Sequence, residues 1–106
     1  MEMQLTLSPA ADALTVTLAG ELDSLSAPKL YDQLSQTLKQ HPAIKKITFD
    51  CQNLSYISSA GAGILLLSLD NFGHRGVDFE LRHVRPEVYN ILDLLGLTKV
   101  MSVSND

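Results

Sequence analysis

The apolar residues of this chain switch repeatedly between a period of two and a helical period, and that alternation constrains the fold more than any single motif. Met3, Leu5 and Leu7 alternate with Glu2, Gln4, Thr6 and Ser8, and Leu14, Val16 and Leu18 repeat the pattern. A period of two buries one face of a strand. Pro9-Ala10-Ala11-Asp12 supplies turn chemistry between the two runs, so they are predicted to pair as an antiparallel hairpin.

The period then lengthens. Ala27, Leu30, Tyr31, Leu34 and Leu38 fall on one helical face, with Ser24 or Ser26 available as N-cap, Pro28 in the first turn and His41-Pro42 as the stop. Ile47, Phe49 and Cys51 alternate as a third strand, and the polar stretch Asn53 to Ser58 reads as a loop. A second helix is expected from Ser59 to His74. It is apolar over its first turns and so is expected to lie against the sheet, with Gly73 and Gly76 ending it. Val77, Phe79 and Leu81 form a fourth strand. Pro86 opens a third helix with Val88, Ile91, Leu92 and Leu95 as its buried stripe and Gly96 at a left-handed C-cap; Val100 to Val103 leaves room for a short last strand. The order β-β-α-β-α-β-α is that of an α/β domain: a mixed sheet with right-handed crossovers and helices packed on it. A length of 106 residues supports one core, and no linker or repeat divides it, so residues 1–106 read as one domain.

With 45% hydrophobic and 19% charged residues the chain has the composition of a folded protein, not a disordered one. A net charge of −4, with eight Lys and Arg scattered along the chain, leaves no basic footprint for a phosphate backbone, so nucleic acid is not an expected partner. The first residues lack a basic segment followed by an apolar one. The longest apolar run, Ala60 to Leu67, is far too short to span a bilayer, and a cytoplasmic protein without membrane insertion is expected. The single cysteine, Cys51, has no internal disulfide partner and reads as a small buried residue.

No catalytic constellation emerges. His41, His74 and His83 are dispersed without metal-ligand spacing, so no metal site is expected. Gly61-Ala62-Gly63 sits at a strand-to-helix junction, but the Walker lysine and the dinucleotide fingerprint are both missing. Small residues there thin the helix and let its backbone approach the sheet or a partner. Ser58 and Ser59 stand where an N-cap belongs, and one of them can serve simply as the cap. A serine at a helix start is also suited to phosphorylation, because the added negative charge faces unpaired N–H groups and the positive end of the helix dipole.

Leu54-Ser55-Tyr56-Ile57-Ser58-Ser59-Ala60-Gly61, after a strand ending in Asp50 and before an apolar helix, resembles the signature of the STAS family, the sulfate transporter and anti-sigma factor antagonist domains. Gly20-Glu21-Leu22-Asp23 and the exit Leu95-Gly96-Leu97 resemble the family's corresponding segments, so the resemblance spans nearly the whole chain in order. It implies a stand-alone anti-sigma factor antagonist, a binding protein and not an enzyme, with no cofactor of its own. In such members the serine two places before the signature glycine, here Ser59, is phosphorylated by a partner serine kinase that is also an anti-sigma factor. A PP2C-type phosphatase reverses the modification. The unphosphorylated protein binds the kinase, and the phosphorylated protein lets go.

The partner surface implied by the resemblance comprises Asp23, Ser58, Ser59, Ala60 and Gly61. Ser58 replaces an acidic residue common in such members and Ala60 replaces a hydroxyl residue, which leaves Ser58 as a second candidate acceptor. Asp23 reads equally well as a turn or helix-capping residue. A constitutive STAS subunit of a lipid-transporting ABC complex is the alternative function. Those members also read Ser-Ala-Gly at this point, with an acidic residue where this chain has Ser58.

Overall fold

The hairpin closes more tightly than its turn chemistry implies. In the computed structural model, which describes residues 4–106, strand β1 (Gln4–Ala10) pairs antiparallel with β2 (Ala13–Leu22), and the register Ala10↔Ala13 leaves only Ala11 and Asp12 to turn the chain. Ala11 adopts φ 55°, the left-handed conformation that a two-residue hairpin loop demands. Met3, placed by its alternation on the first strand, lies outside the described residues.

The remaining elements follow the predicted order: α1 (Ala27–Gln40), β3 (Lys46–Ile57), α2 (Ser59–Gly73), β4 (Asp78–Arg82), α3 (Pro86–Leu94) and a two-residue β5 (Ser102–Val103). A short 3-10 turn at Leu97–Lys99 links α3 to β5, entered through Gly96 at φ 81°. The strands lie in the order β1-β2-β3-β4-β5, with every pair after the hairpin parallel. This is the mixed α/β sheet that the periodicity predicts.

The core follows from the alternation. Leu14, Val16, Leu18, Ile47, Phe49, Phe79 and Leu81 are buried on one face of the sheet, and Leu30, Leu34 and Leu38 of α1 and Leu65 and Phe72 of α2 pack over it. Tyr31 stacks on Phe72 at 5.6 Å between ring centres, and its hydroxyl accepts a hydrogen bond from Asn71, which ties α1 to α2. The opposite face carries Thr15, Thr17, Lys46, Thr48, Asp50 and Glu80. There the Thr48 hydroxyl donates to Glu80 at 2.9 Å and Lys46 approaches the same carboxylate at 3.5 Å.

Two expectations are corrected. The stretch from Asn53 is not a loop, because β3 continues to Ile57. It does so through two register shifts: Thr17 pairs with Asp50 but Ala19 with Asn53, and Gly20 pairs with Leu54 but Glu21 with Tyr56. Each shift inserts an extra residue into β3, so the apolar positions Cys51, Leu54 and Ile57 recur every three residues and the period of two is lost. The Ser55 hydroxyl spans the irregularity by donating to the Gly20 carbonyl at 2.9 Å. The second correction concerns α3: Leu95, expected in its buried stripe, follows the last helical residue and is 43% exposed. Helix α2 lies against the sheet as expected, through Leu65 and Phe72, while Leu66 and Leu67 on its outer side are 38% and 44% exposed.

Candidate functional site

The parallel pair β2 and β3 ends side by side, with Leu22 opposite Ile57, and the next backbone N–H, that of Ser58, donates to the Leu22 carbonyl at 2.9 Å. Ser58 is extended (ψ 171°), and its hydroxyl oxygen accepts the Gly61 N–H at 3.1 Å, which is the geometry of an N-cap. The first intrahelical bond runs from Ala62 N–H to the Ser58 carbonyl, so the amides of Ser59 and Ala60 lie ahead of the helical ladder. Ser59 occupies the first position of α2. Its side chain is exposed and, among the described residues, its hydroxyl makes no hydrogen bond.

Ala60 is exposed beside Ser59, whereas Gly61 is buried beneath them. A Cβ on Gly61 would collide with the Leu22 carbonyl oxygen and sit 2.9 Å from Leu22 Cγ, whereas one on Gly63 would meet open space. The two glycines therefore differ in purpose. Gly61 lets the helix start rest directly on the end of β2, and Gly63 lies on the outer surface.

Asp23 follows Leu22 and so stands at the same end of the sheet. One of its carboxylate oxygens accepts the Leu25 N–H at 3.0 Å and the Ser26 N–H at 3.1 Å, while the Asp23 N–H donates to the Ser26 hydroxyl at 2.9 Å. The Ser26 and Leu25 amides hold the Asp23 carboxyl below the usual carboxylate range. This corrects the capping expectation for α1. Neither Ser24 nor Ser26 caps the helix through its side chain; the turn is built by Asp23, and Ser26 Oγ is occupied by Asp23 N–H and the Glu21 carbonyl at 2.9 Å.

Farther from this end, on the polar face, Asp50 meets His83 Nδ1 at 3.0 Å. Burial raises the Asp50 carboxyl, but the hydrogen bonds from His83 and Gln52 N–H and the charges of His83 and Arg82 outweigh it and leave the group below its ordinary value. Burial, helped by the Asp50 charge, pushes the Cys51 thiol up to about 12, so it is an inert core residue. Among the described residues no three His, Cys, Asp or Glu side chains come together in a metal-binding group, and no helix is long and apolar enough to cross a membrane.

The residues singled out in the sequence, Asp23, Ser58, Ser59, Ala60 and Gly61, thus converge on the carboxyl ends of β2 and β3. The structure adds Leu25, 81% exposed in the Asp23 turn, and Tyr56, 45% exposed at the end of β3. Tyr56 belongs to the signature but carries no predicted role, and Leu25 stands outside every predicted motif. The signal available for Leu25 was a lone large apolar side chain inside the polar turn Asp23-Ser24-Leu25-Ser26.

The sequence pattern of the STAS domain matches residues 4–106. The chain belongs to the STAS domain family. It is 26% identical over 103 residues to the anti-sigma F factor antagonist of Paenibacillus polymyxa, a match covering 97% of this chain and 87% of that protein. Its fold matches an anti-sigma factor antagonist from Mycobacterium paratuberculosis with a TM-score of 0.85 at 18% identity, over 99% of this chain and 87% of that one. The Bacillus cell fate determinant SpoIIAA in its phosphorylated form matches with a TM-score of 0.73 at 21% identity, over 94% of this chain and 90% of that one. Distant homologues of the chain are anti-sigma factor antagonists.

Proposed function

We propose that this protein is an anti-sigma factor antagonist that works by partner switching in the cytoplasm, with Ser59 as its switch residue. Unphosphorylated, it binds an anti-sigma factor that is also a serine kinase; phosphorylation of Ser59 releases it, and a PP2C-type phosphatase resets it. It is a binding module, and ATP is bound by the kinase.

The observation that carries this reading is the division of labour between the two serines. Ser58 spends its side chain on the Gly61 amide and is half-buried, whereas the Ser59 hydroxyl is exposed and uncommitted. Ser59 is therefore the acceptor, and Ser58 is the cap that fixes the helix start beneath it. A phosphate at Ser59 adds a charge of about −1.5 to −2 next to the positive end of α2, so the domain tolerates it. A partner packed closely on the same end has to desolvate that charge, and where it offers no counter-ion the cost is on the order of several kcal/mol, enough to open the complex.

The test is to incubate the protein with the kinase-type anti-sigma factors of its source organism and ATP. One phosphate mapped to Ser59, absent in Ser59→Ala and retained in Ser58→Ala, is expected. Full labelling of Ser59→Ala would overturn the assignment.

A further inference from the structure

A single exposed leucine carries no meaning by itself. Leu25 differs in how it is held. The chain around it is closed by Asp23, whose carboxylate accepts the Leu25 and Ser26 amides, by Ser26 Oγ, which accepts the Asp23 amide, and by the Ala27 N–H donating to the Asp23 carbonyl at 2.8 Å. The side chain that this turn presents is 81% exposed and is absent from the hydrophobic core. Four hydrogen bonds thus fix the backbone that carries a large apolar side chain which the fold does not bury.

Its location ties it to the proposed switch serine. Leu25 lies three residues beyond Leu22, whose carbonyl binds the Ser58 amide and against which Gly61 rests. The Asp23 turn and Tyr56 on the adjacent strand stand at the same end of the sheet as the start of α2, the end that a kinase acting on Ser59 approaches.

We propose that Leu25 is an apolar anchor of this surface, inserting into an apolar pocket on the anti-sigma factor kinase, and that Asp23 is a positioning residue that holds the anchor. The proposal rests on the function argued above. An anchor carried on a preset turn loses little backbone freedom on binding, a condition that favours a strong contribution to affinity from one buried side chain. Asp23 then matters as a hydrogen-bond acceptor. Its negative charge is incidental to binding.

The experiment measures binding of wild type, Leu25→Ala, Asp23→Ala and Asp23→Asn to the purified kinase that phosphorylates Ser59, with a non-hydrolysable ATP analogue so that no phosphate is transferred. Leu25→Ala is expected to bind about tenfold or more weakly with an unchanged melting temperature. Asp23→Ala is expected to weaken binding, and Asp23→Asn, which keeps the acceptor oxygen, to restore it. Wild-type affinity in Leu25→Ala overturns the anchor. Equal losses in Asp23→Asn and Asp23→Ala overturn the positioning role, because they show that the carboxylate charge itself touches the kinase. If no such kinase phosphorylates or binds the wild-type protein, the functional reading fails first and the anchor falls with it.

Discussion

Replacing Gly61 by alanine sets two effects of known size against each other. Alanine is the better helix former, and in the first turn of α2 the exchange would by itself stabilise the fold by up to about 1 kcal/mol. The added methyl has nowhere to go, however. It would collide with the Leu22 carbonyl oxygen, and Leu22 Cγ would lie 2.9 Å away. The obstructing oxygen is backbone, fixed by its bond to the Ser58 amide, so no side-chain rotation relieves the contact. Overpacking of this kind costs about 1–3 kcal/mol, and a backbone obstacle places it at the upper end. The net expectation is a loss of about 2 kcal/mol, or a melting temperature lower by roughly 10 °C for a domain of this size. Gly63→Ala is the matched control: the same chemistry two residues on, where a Cβ meets open space, should leave stability unchanged or raise it by up to about 1 kcal/mol. Urea unfolding followed by circular dichroism reads both variants. A Gly61→Ala protein as stable as Gly63→Ala would refute the close packing of α2 on β2 and the site geometry built on it.

The two serines should also separate by stability. Ser58→Ala removes the cap and should cost about 1 kcal/mol, whereas Ser59→Ala should be nearly silent in the same unfolding assay; equal effects would contradict the assignment of cap and acceptor. Asp50 gives the pH dependence. Its folded value lies below the ordinary 3.8, so its contribution is complete above that value and is lost as the pH falls through the lower folded value. Asp50→Asn should therefore flatten the fall in stability below about pH 4, and parallel pH profiles for variant and wild type would show that the His83 contact has no such effect.

The parts of the fold that could be read from sequence are those where one physical rule acts alone. Val88 and Leu92 keep their helical spacing and are buried, Gly96 adopts the left-handed conformation that its place after α3 implies, and the hairpin and parallel strands follow from alternation. The end of β3 was illegible because two extra residues destroy its period and the polar side chains of Asn53 and Ser55 imitate a loop. The exposure of Leu66 and Leu67 was hidden for a different reason. Small and apolar residues on every side of α2 give no contrast from which to choose its buried face. At the site, spacing placed both serines at the helix start but could not apportion the roles. That needed the hydrogen bond from Gly61 to Ser58 and a Ser59 hydroxyl with no hydrogen bond among the described residues. The role of Asp23 as a turn builder was one of two readings open in the sequence, and the amides of Leu25 and Ser26 decide its local structure.

A phosphate on Ser59 is expected to break a close contact without disturbing the fold. Calorimetric titration of the purified kinase with unphosphorylated and with stoichiometrically Ser59-phosphorylated protein tests it directly, alongside the melting temperature of both forms. Tight binding of the first, at least about a hundredfold weaker binding of the second, and little change in melting temperature between them are expected. Equal affinity for the two forms, or a phosphorylated protein that has lost its folded structure, would contradict it.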